Sequence, residues 1–458
     1  MIARLLEPRL LLFGALTGTA ITVLAAGHAL LSYLVSPLLV PAAISAVTIA
    51  AIVIRAPIVG VYGTILSVPL EIFDLRLGSF GLTVTESLAL LTAGATLLRR
   101  PAHGTPRVDS AHIAFGLGLL TMAAGLTIAV DAFTTAKILV MWTAFLAISV
   151  FISRHARTVE VERIVVCTAI AAAAVGAIAI STTGSQQAAL GGAVVTNRAE
   201  GSFSDPNQLA FFLVLGLPCC IAATLREPSA RRSTLFAMTI ALASAGLILT
   251  LSRSAMIGAL VSLAVMALWR RFRRAAVAGV VILLAYLAIN PQVLSGSQVS
   301  LVATRFATVT QLQDTYGNAR LSIYSATPSI IADHPLVGIG AGNFPRYSIP
   351  YGLSQGGGGA FAHAHNVFLT VAAELGLLGL VALIFFIWAV SRHALTVLLN
   401  RSSHYYSSGI ALTAALAGLL LTAIPDYPPG SNPVMAVLMI QIGALIRLAR
   451  SQSGDSVR

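Results

Sequence analysis

The chain has 458 residues, of which 57% are hydrophobic and only 10% are charged. A soluble protein of this length needs more polar side chains to cover its surface, so the composition excludes a soluble globular protein. The net charge of +12 comes mostly from arginines that flank apolar runs. Because these arginines do not form a stripe interleaved with aromatic residues, the high charge argues against nucleic-acid binding.

Apolar runs long enough to cross a membrane recur along the whole chain. About 20 helical residues span the hydrocarbon core, and on that basis we predict roughly 12–14 transmembrane helices. The protein is therefore expected to be all-α, a polytopic integral membrane bundle in which residues 1–458 form a single membrane domain. The predicted spans start near residues 10, 36, 57, 83, 111, 133, 163, 207, 234, 254, 275, 365, 407 and 433.

The breaks between spans carry arginines on alternate sides of the predicted bundle. The richer side holds Arg4, Arg55, Arg99, Arg154, Arg226, Arg270, Arg392 and Arg447. The positive-inside rule assigns that side, and both termini, to the cytoplasm. The opposite side retains Arg76, Arg198, Arg253, Arg305, Arg320, Arg346 and Lys137.

Two segments on the predicted outer side, 181–207 and 290–364, are too long to be simple turns. Connections of this length are usually functional or disordered. Within the second segment, Gly338, Gly340 and Gly342 recur at every other position. They lack the G-x-G-x-x-G spacing and a preceding strand, which argues against a dinucleotide-binding loop.

The second segment also contains a predicted surface helix, at about residues 318–335. Leu321, Tyr324 and Ile331 occur there at near-helical spacing, and the run stops at a proline. This pattern predicts an amphipathic helix on the outer leaflet, broken or kinked at Pro328.

Three arginines on the predicted outer side are candidates for binding an anion. Arg253 interrupts an apolar stretch at a turn between two spans, where its guanidinium can bind phosphate bidentately or extend to lipid headgroups. The tight connection between these spans favours the bundle interior. Arg320 lies in the first turn of the predicted surface helix, where the helix N-terminus also favours an anion. Arg198 is a further candidate.

The eighth predicted span begins with a capping pattern. Asp205 or Asn207 can cap the helix, and Pro206 suits its first position. We expect Asp205 to act as this cap in preference to a catalytic group.

The twelfth predicted span begins just after His365-Asn366. By position, His365 is either a polar anchor at the interface, with Asn366 as a cap, or a functional base. Glu374, about 13 Å further along the helix, must face the bundle interior, where a hydrogen-bonding role is favoured over a catalytic one. His363 and His365 together offer two metal ligands, but no third and fourth are suitably spaced, which argues against a metal site.

Four segments, in this order, resemble the O-antigen ligase and polymerase family of membrane glycosyltransferases. They are the ten residues from Arg198 to Asn207, the Ser252-Arg253 turn, the Arg320 helix running into the glycines at 338–342, and His365-Asn366 with Gly376 and Gly379. The resemblance lies within residues 195–385, and the first 190 residues contribute only topology.

The resemblance implies transfer of a glycan from undecaprenyl pyrophosphate to a hydroxyl acceptor at the outer face of the bacterial inner membrane. It implies no cofactor, metal or nucleotide sugar. Arg253, Arg320 and Arg198 would then bind the pyrophosphate, whose negative charge grows as it leaves. His365 would activate the acceptor, since histidine titrates near neutral pH. The supporting residues would be Asn366, Glu374, Asp205 and Asn207.

Several functions remain open on this pattern. The family includes ligation of O-antigen to lipid A-core, polymerisation of repeat units and glycan transfer to protein. The last usually goes with a C-terminal domain, so the short tail after the final predicted span argues against it. A transporter or flippase of lipid-linked glycans would place charges in several spans, whereas Glu374 is nearly alone in a span centre. A metal-dependent oligosaccharyltransferase would use carboxylates in outer loops.

Overall fold

Apolar helices make up most of the part of the chain that the computed structural model describes. The described residues are 39–77, 80–99, 108–182, 198–227, 229–277, 281, 315–353 and 360–452. The first predicted span, near residue 10, lies outside them, as do most of the eleventh and much of the two predicted outer segments.

The helices of the described residues are numbered in chain order. They are α1 (Leu39–Arg55), α2 (Pro57–Leu66), α3 (Val84–Leu97), α4 (Ser110–Gly125), α5 (Ala132–His155), α6 (Thr158–Thr182), α7 (Pro206–Arg226), α8 (Ala230–Leu249), α9 (Arg253–Met266), α10 (Arg270–Val277), α11 (Thr315–Asp333), α12 (Phe344–Ser348), α13 (Val367–Leu399), α14 (Tyr406–Ala423) and α15 (Asn432–Gln452). Within the described ranges, seven are long and apolar enough to cross a membrane. This confirms the predicted polytopic helical bundle.

Several predicted spans are shorter than a bilayer is thick. Pro57 restricts the residue before it to extended conformations, and Ala56 accordingly has φ −138° and ψ 78°, which separates α1 from α2. With ten residues, α2 is about 15 Å long and cannot cross alone. Taken together, α9 and α10 are long and apolar enough to cross a membrane, but the chain bends by 119° between them.

A two-stranded antiparallel hairpin, β1 (Asp74–Leu77) and β2 (Phe80–Thr83), precedes α3 and was not predicted. Thr83 ends the hairpin and begins α3 through a capping box, because its hydroxyl accepts from Glu86 N while its own N–H donates to the Glu86 carboxylate. The Asn432 side chain also donates to Glu86. The hairpin is thereby fixed beside the start of α15.

Small residues allow the central helices to approach closely. A Cβ added to Gly216 of α7 would clash with Ala172 Cβ, and one added to Gly258 would lie 2.6 Å from Gly418 O. Such contacts replace the hydrophobic driving force that helices lack inside a membrane. The most enclosed of the seven long helices is α7, in which 89% of an 18-residue apolar stretch is buried inside the protein.

The buried face of α11 only partly matches the prediction: Tyr324 and Ile331 pack against its core as expected. Ile323, Thr327 and Ile330 are completely buried, whereas Leu321, a predicted apolar contact, is 48% exposed. The helix continues through Pro328 to its end, since a proline removes one backbone donor without preventing helical geometry on either side. The buried face packs on a small core that also contains Ile339, Phe344, Leu353, Phe361, Ala364 and Ala373.

Candidate active site

His365 lies in the turn before α13, and neighbouring groups fix its backbone. Its N–H donates to His363 Nδ1 at 3.1 Å, and its carbonyl accepts from the Tyr324 hydroxyl at 2.9 Å. Asn366 caps α13 by accepting from Leu369 N at 3.0 Å. His365 itself has a φ of 48°, a conformation that non-glycine residues rarely adopt. Strained backbone of this kind is concentrated at functional sites.

Asp426 joins two of the predicted site residues. Its Oδ1 lies 3.4 Å from His365 Nδ1, and its Oδ2 lies 3.7 Å from a terminal nitrogen of Arg320. The carboxylate side chain is only 2% exposed, whereas those of His365 and Arg320 are 25% and 34% exposed. The buried anion therefore lies behind an imidazole and a guanidinium that both reach solvent.

The charge state of Asp426 follows from these neighbours. Burial by itself raises the pKa of a carboxyl, but the His365 imidazole 3.4 Å away, together with His363 and Arg320, outweighs it and lowers the pKa of Asp426. The carboxylate thus stays ionised at neutral pH.

Asp426 was missed by the sequence analysis. It lies in the short break between the last two predicted spans, and its partners are 61 and 106 residues earlier in the chain. The sequence feature that could have drawn attention to Asp426 is that it is the one acidic residue between Glu374 and Asp455.

His363 completes the immediate surroundings of His365. The two rings meet edge to face with centroids 4.3 Å apart, and Tyr427 lies 5.5 Å from His363. Burial, followed by the neighbouring charge of His365, lowers the pKa of His363 to about 4. A neutral His363 that accepts at Nδ1 carries its proton on Nε2, so it can donate there but not ligate.

The cluster supplies a third potential metal ligand, which the sequence analysis did not foresee. Ligand atoms of His363, His365 and Asp426 lie within 4.8 Å of one another. Two features oppose a cation: His363 Nδ1 already accepts a backbone N–H, and the Arg320 guanidinium already faces the carboxylate. A metal ion would have to displace the backbone N–H from His363 Nδ1, and the positive charge of Arg320 would repel it.

Arg320 occupies a different position on its helix from the one predicted. It is the sixth residue of α11, so the exposed N–H groups of the first turn do not lie beside it. Its location near His365 comes instead from Asp426. The predicted contribution of the helix N-terminus to anion binding at Arg320 is therefore wrong.

Arg198 belongs to a second polar cluster, at the start of α7. Its Nε donates to Thr250 O, and its terminal nitrogen donates to Asn207 Oδ1, both at 2.8 Å. Asp205 caps α7 by accepting from Asn207 N at 2.6 Å. These bonds fix the guanidinium beside the turn that leads to Arg253.

The Ser252-Arg253 turn lies at the same end of the bundle as Asp426. Thr422, near the end of α14, donates to Ser254 O at 3.4 Å, and the chain reaches Asp426 four residues later. We call this the histidine end, defined by His365, Asp426 and the first turn of α9. The structure brings His365 and Arg320 together through Asp426, and it brings Arg198 and Arg253 to the same end as a separate group.

Glu374 is buried and holds a loop against α13. Its Oε1 accepts from Phe344 N at 3.3 Å, and its backbone carbonyl accepts from Gly340 N at 2.9 Å. The helix is interrupted two residues later, where Gly376 has φ 68° and ψ −174°. Leu377 N then donates to Pro335 O at 2.8 Å, so the loop provides the hydrogen bonds that the helix loses. This geometry matches the hydrogen-bonding role expected for Glu374.

Gly376→Ala is expected to reduce the yield of folded protein severely. A Cβ at Gly376 would clash with Leu336 O, and the positive φ adds strain. Two glycines serve as controls: Gly352 has φ +76° but no atom within 4 Å, and Gly116 has neither restriction. Thermal unfolding in detergent should therefore rank Gly376→Ala far below Gly352→Ala, with Gly116→Ala unchanged. Equal unfolding temperatures would contradict this account of the break.

The apolar bundle and its polar end define a multi-pass helical membrane protein with a buried carboxylate, an imidazole and several guanidinium groups at one end. Residues 238–384 match the family model described as O-antigen ligase. This match confirms the predicted resemblance to the O-antigen ligase family and supports a polysaccharide ligase or polymerase type of function.

The matched segment, about a third of the chain, contains Arg253, Arg320, His365 and Glu374, whereas Arg198 and Asp426 lie outside it. No curated protein matches the chain.

Proposed function

We propose that the protein transfers a glycan from an undecaprenyl-pyrophosphate-linked donor to a hydroxyl acceptor at the outer face of the bacterial inner membrane. The observation that carries the proposal is the buried Asp426 carboxylate, which joins His365 and Arg320, two residues of the segment that resembles the O-antigen ligase family. A base and a cation at one carboxylate suit a reaction that deprotonates an alcohol and releases an anion.

His365 activates the acceptor in this scheme. With Nδ1 facing Asp426, its Nε2 is the nitrogen left to take the proton of the acceptor hydroxyl. The hydroxyl oxygen forms a bond to the anomeric carbon, and the bond from that carbon to the pyrophosphate breaks. Asp426 orients the ring and stabilises the imidazolium that forms.

The arginines receive the leaving group. The electron pair of the broken bond stays on the pyrophosphate oxygen, so negative charge grows there during the transition state. Arg320, already beside the proposed base, stabilises that charge, and Arg253 and Arg198 bind the pyrophosphate from the neighbouring turn.

An apolar cavity of about 530 Å³ supports a lipid-linked donor. Residues of α4 and α5 line one side of it, and along α13 its lining runs from Val367, two residues after His365, to Leu398. It also includes Pro428, two residues after Asp426. A polyprenyl chain lying in this cavity would present its pyrophosphate to the histidine end.

The distribution of arginines supports an outer position for the histidine end. Arg226, Arg392 and Arg450 lie near the ends of α7, α13 and α15 that are distant from Asp426. The positive-inside rule assigns such an end to the cytoplasm. The catalytic chemistry would then take place on the opposite, extracytoplasmic surface, with both termini in the cytoplasm.

The proposal is tested with purified protein in detergent micelles, given a synthetic lipid-linked glycan and separate acceptors. Extension of a second lipid-linked glycan would indicate a polymerase, and modification of lipid A-core a ligase. A flippase only moves lipid between the two leaflets of a bilayer and forms no glycosidic bond, so it would give no product in this assay. If none of the acceptors received glycan, the proposed activity would be overturned.

We expect the transfer rate to change less than about twofold in the presence of a chelator, because Arg320 and the hydrogen-bonded His363 disfavour a cation at Asp426. The measurement compares initial rates with EDTA and with added Mn²⁺ or Mg²⁺. A rate abolished by EDTA and restored by a divalent ion would contradict this expectation. It would favour the metal-dependent alternative, with His363, His365 and Asp426 as ligands.

A further inference from the structure

His363 lies beside the proposed base, yet the proposed mechanism gives its ring no task. The His365 N–H donates to His363 Nδ1 at 3.1 Å, so Nδ1 is the unprotonated nitrogen of a neutral ring. The ring proton is then on Nε2. The backbone of His365 therefore fixes His363 as a hydrogen-bond donor at one defined atom.

The Nε2 atom of His363 is available to a bound molecule. The side chain is partly exposed, and among the described residues Nε2 has no hydrogen-bond partner and is not one of the polar atoms enclosed without one. By contrast, Nδ1 of His365 is enclosed, where it faces Asp426. The two neighbouring rings thus offer a substrate their Nε2 atoms, one as a donor and one as a base.

His363 keeps its donor character across the pH range of the reaction. Burial is the main cause that lowers the pKa of His363 to about 4, and the charges of His365 and Arg320 add to it, against the opposing effect of Asp426. The ring is therefore neutral from about pH 5 upward. His363 also lies within electrostatic range of both the base and the proposed pyrophosphate cation.

We propose that His363 is a second catalytic residue, which donates a hydrogen bond from Nε2 to the departing pyrophosphate oxygen while His365 takes the proton of the acceptor hydroxyl. The inference rests on the proposed function. The entering and departing oxygens flank the anomeric carbon, and the two imidazole rings lie side by side with centroids 4.3 Å apart. A donor at the departing oxygen stabilises the charge that grows there, whereas a donor at the entering oxygen would oppose its attack. His363 keeps its proton throughout, and the electron pair of the broken bond stays on the pyrophosphate.

Two substitutions at position 363 separate the donor at Nε2 from the backbone contact at Nδ1. His363→Asn places an amide oxygen where Nδ1 accepts the His365 N–H, but it offers no donor at the Nε2 position. His363→Gln places an amide N–H at the Nε2 position and loses the acceptor. With full-length protein in micelles and saturating lipid-linked donor, we expect kcat to fall about 10²-fold in His363→Asn and at most about tenfold in His363→Gln.

The opposite order of the two rates would overturn the inference, because a purely structural His363 needs the acceptor and not the donor. The unfolding temperatures of both variants are measured alongside the rates. If His363→Asn does not keep the wild-type value, a histidine methylated at Nε2 takes its place at position 363. That residue keeps Nδ1 and loses the N–H, so kcat should again fall about 10²-fold. Wild-type activity with the methylated residue would also overturn the inference.

A second readout tests the assignment to the leaving group. Replacing the bridging oxygen of the donor pyrophosphate by a methylene group makes the leaving group a stronger base, and a difluoromethylene group makes it a weaker one. Without a donor at the departing oxygen, the methylene compound should suffer more. The ratio of the difluoromethylene rate to the methylene rate should therefore rise at least about threefold in His363→Asn relative to wild type.

Tyr324→Phe is the matched control, because it removes the hydrogen bond to the His365 carbonyl and leaves the proposed donor in place. Its ratio of the two rates should equal that of wild type. An unchanged ratio in His363→Asn, or an equal rise in Tyr324→Phe, would overturn the assignment to the leaving group. Failure of the proposed function would appear separately, as absence of transfer by wild type from the natural pyrophosphate donor.

Discussion

Replacement of Asp426 by asparagine is expected to lower kcat by about 10³-fold, with little change in KM for the donor. The amide keeps the shape of the carboxylate but removes the charge that orients His365 and stabilises its protonated form. The same Asp→Asn change in a serine-protease imidazole–carboxylate pair costs about four orders of magnitude in kcat, and the 3.4 Å contact here is looser. The measurement is the initial transfer rate at saturating donor and acceptor.

Asp131→Asn is the matched control. Like Asp426, Asp131 pairs with an arginine, Arg346 at 3.5 Å, but it caps α5 and lies outside the candidate site. Asparagine caps a helix as well as aspartate does, so this variant should retain activity and stability. Equal rates for the Asp426 and Asp131 variants would contradict the proposed role of Asp426.

A double variant separates catalysis from general damage. If His365 and Asp426 act as a unit, His365→Ala combined with Asp426→Asn should be no slower than His365→Ala alone. Multiplication of the two losses would mean that Asp426 acts independently of the imidazole. A well-folded His365→Ala protein with wild-type activity would exclude His365 as the base.

Arg320→Lys is expected to lower kcat by about 10²-fold while keeping the positive charge. Lysine has one ammonium group and cannot reproduce two parallel hydrogen bonds from a planar guanidinium to phosphate oxygens. Removal of one preorganised donor from a site of developing charge typically costs two to three orders of magnitude. The rate should be measured with saturating donor, so that the loss reports the transition state.

Arg346→Lys is the appropriate control for this substitution, since the Arg346 side chain is 62% exposed and pairs with Asp131. Lys137 is less suitable than its sequence position suggests, because its ammonium lies 3.8 Å from buried Glu86 and donates to Gly81 O. Similar losses in Arg320→Lys and Arg346→Lys would indicate a general electrostatic effect and not a specific phosphate contact.

Local features of the site could be predicted from sequence. Asp205 and Asn366 cap the helices that follow them, because a cap depends on donors only two or three residues away. The position of His365 at a helix start follows from the same local rule. The transmembrane bundle itself follows from the length and polarity of the apolar runs.

Contacts between distant segments could not be predicted in this way. The pairing of Asp426 with His365 and Arg320 depends on how three helices meet, and no single periodicity encodes it. The face of α11 is another case. Tyr324 and Ile331 pack against the core as their spacing predicts, but the fully buried residues are Ile323 and Ile330, and Leu321 is exposed. Gly376 is recognisable as a small residue, whereas its positive φ follows from hydrogen bonds to the chain at Pro335.

The central claim is that one reaction joins the acceptor and releases a lipid pyrophosphate. The most direct measurement is the amount of both products from purified wild-type protein in micelles with a radiolabelled undecaprenyl-pyrophosphate-linked glycan and excess acceptor. We predict one undecaprenyl pyrophosphate released for each glycosidic bond formed, and neither product in His365→Ala. Glycan transfer without release of the lipid pyrophosphate, or release without extension of the acceptor, would contradict the account.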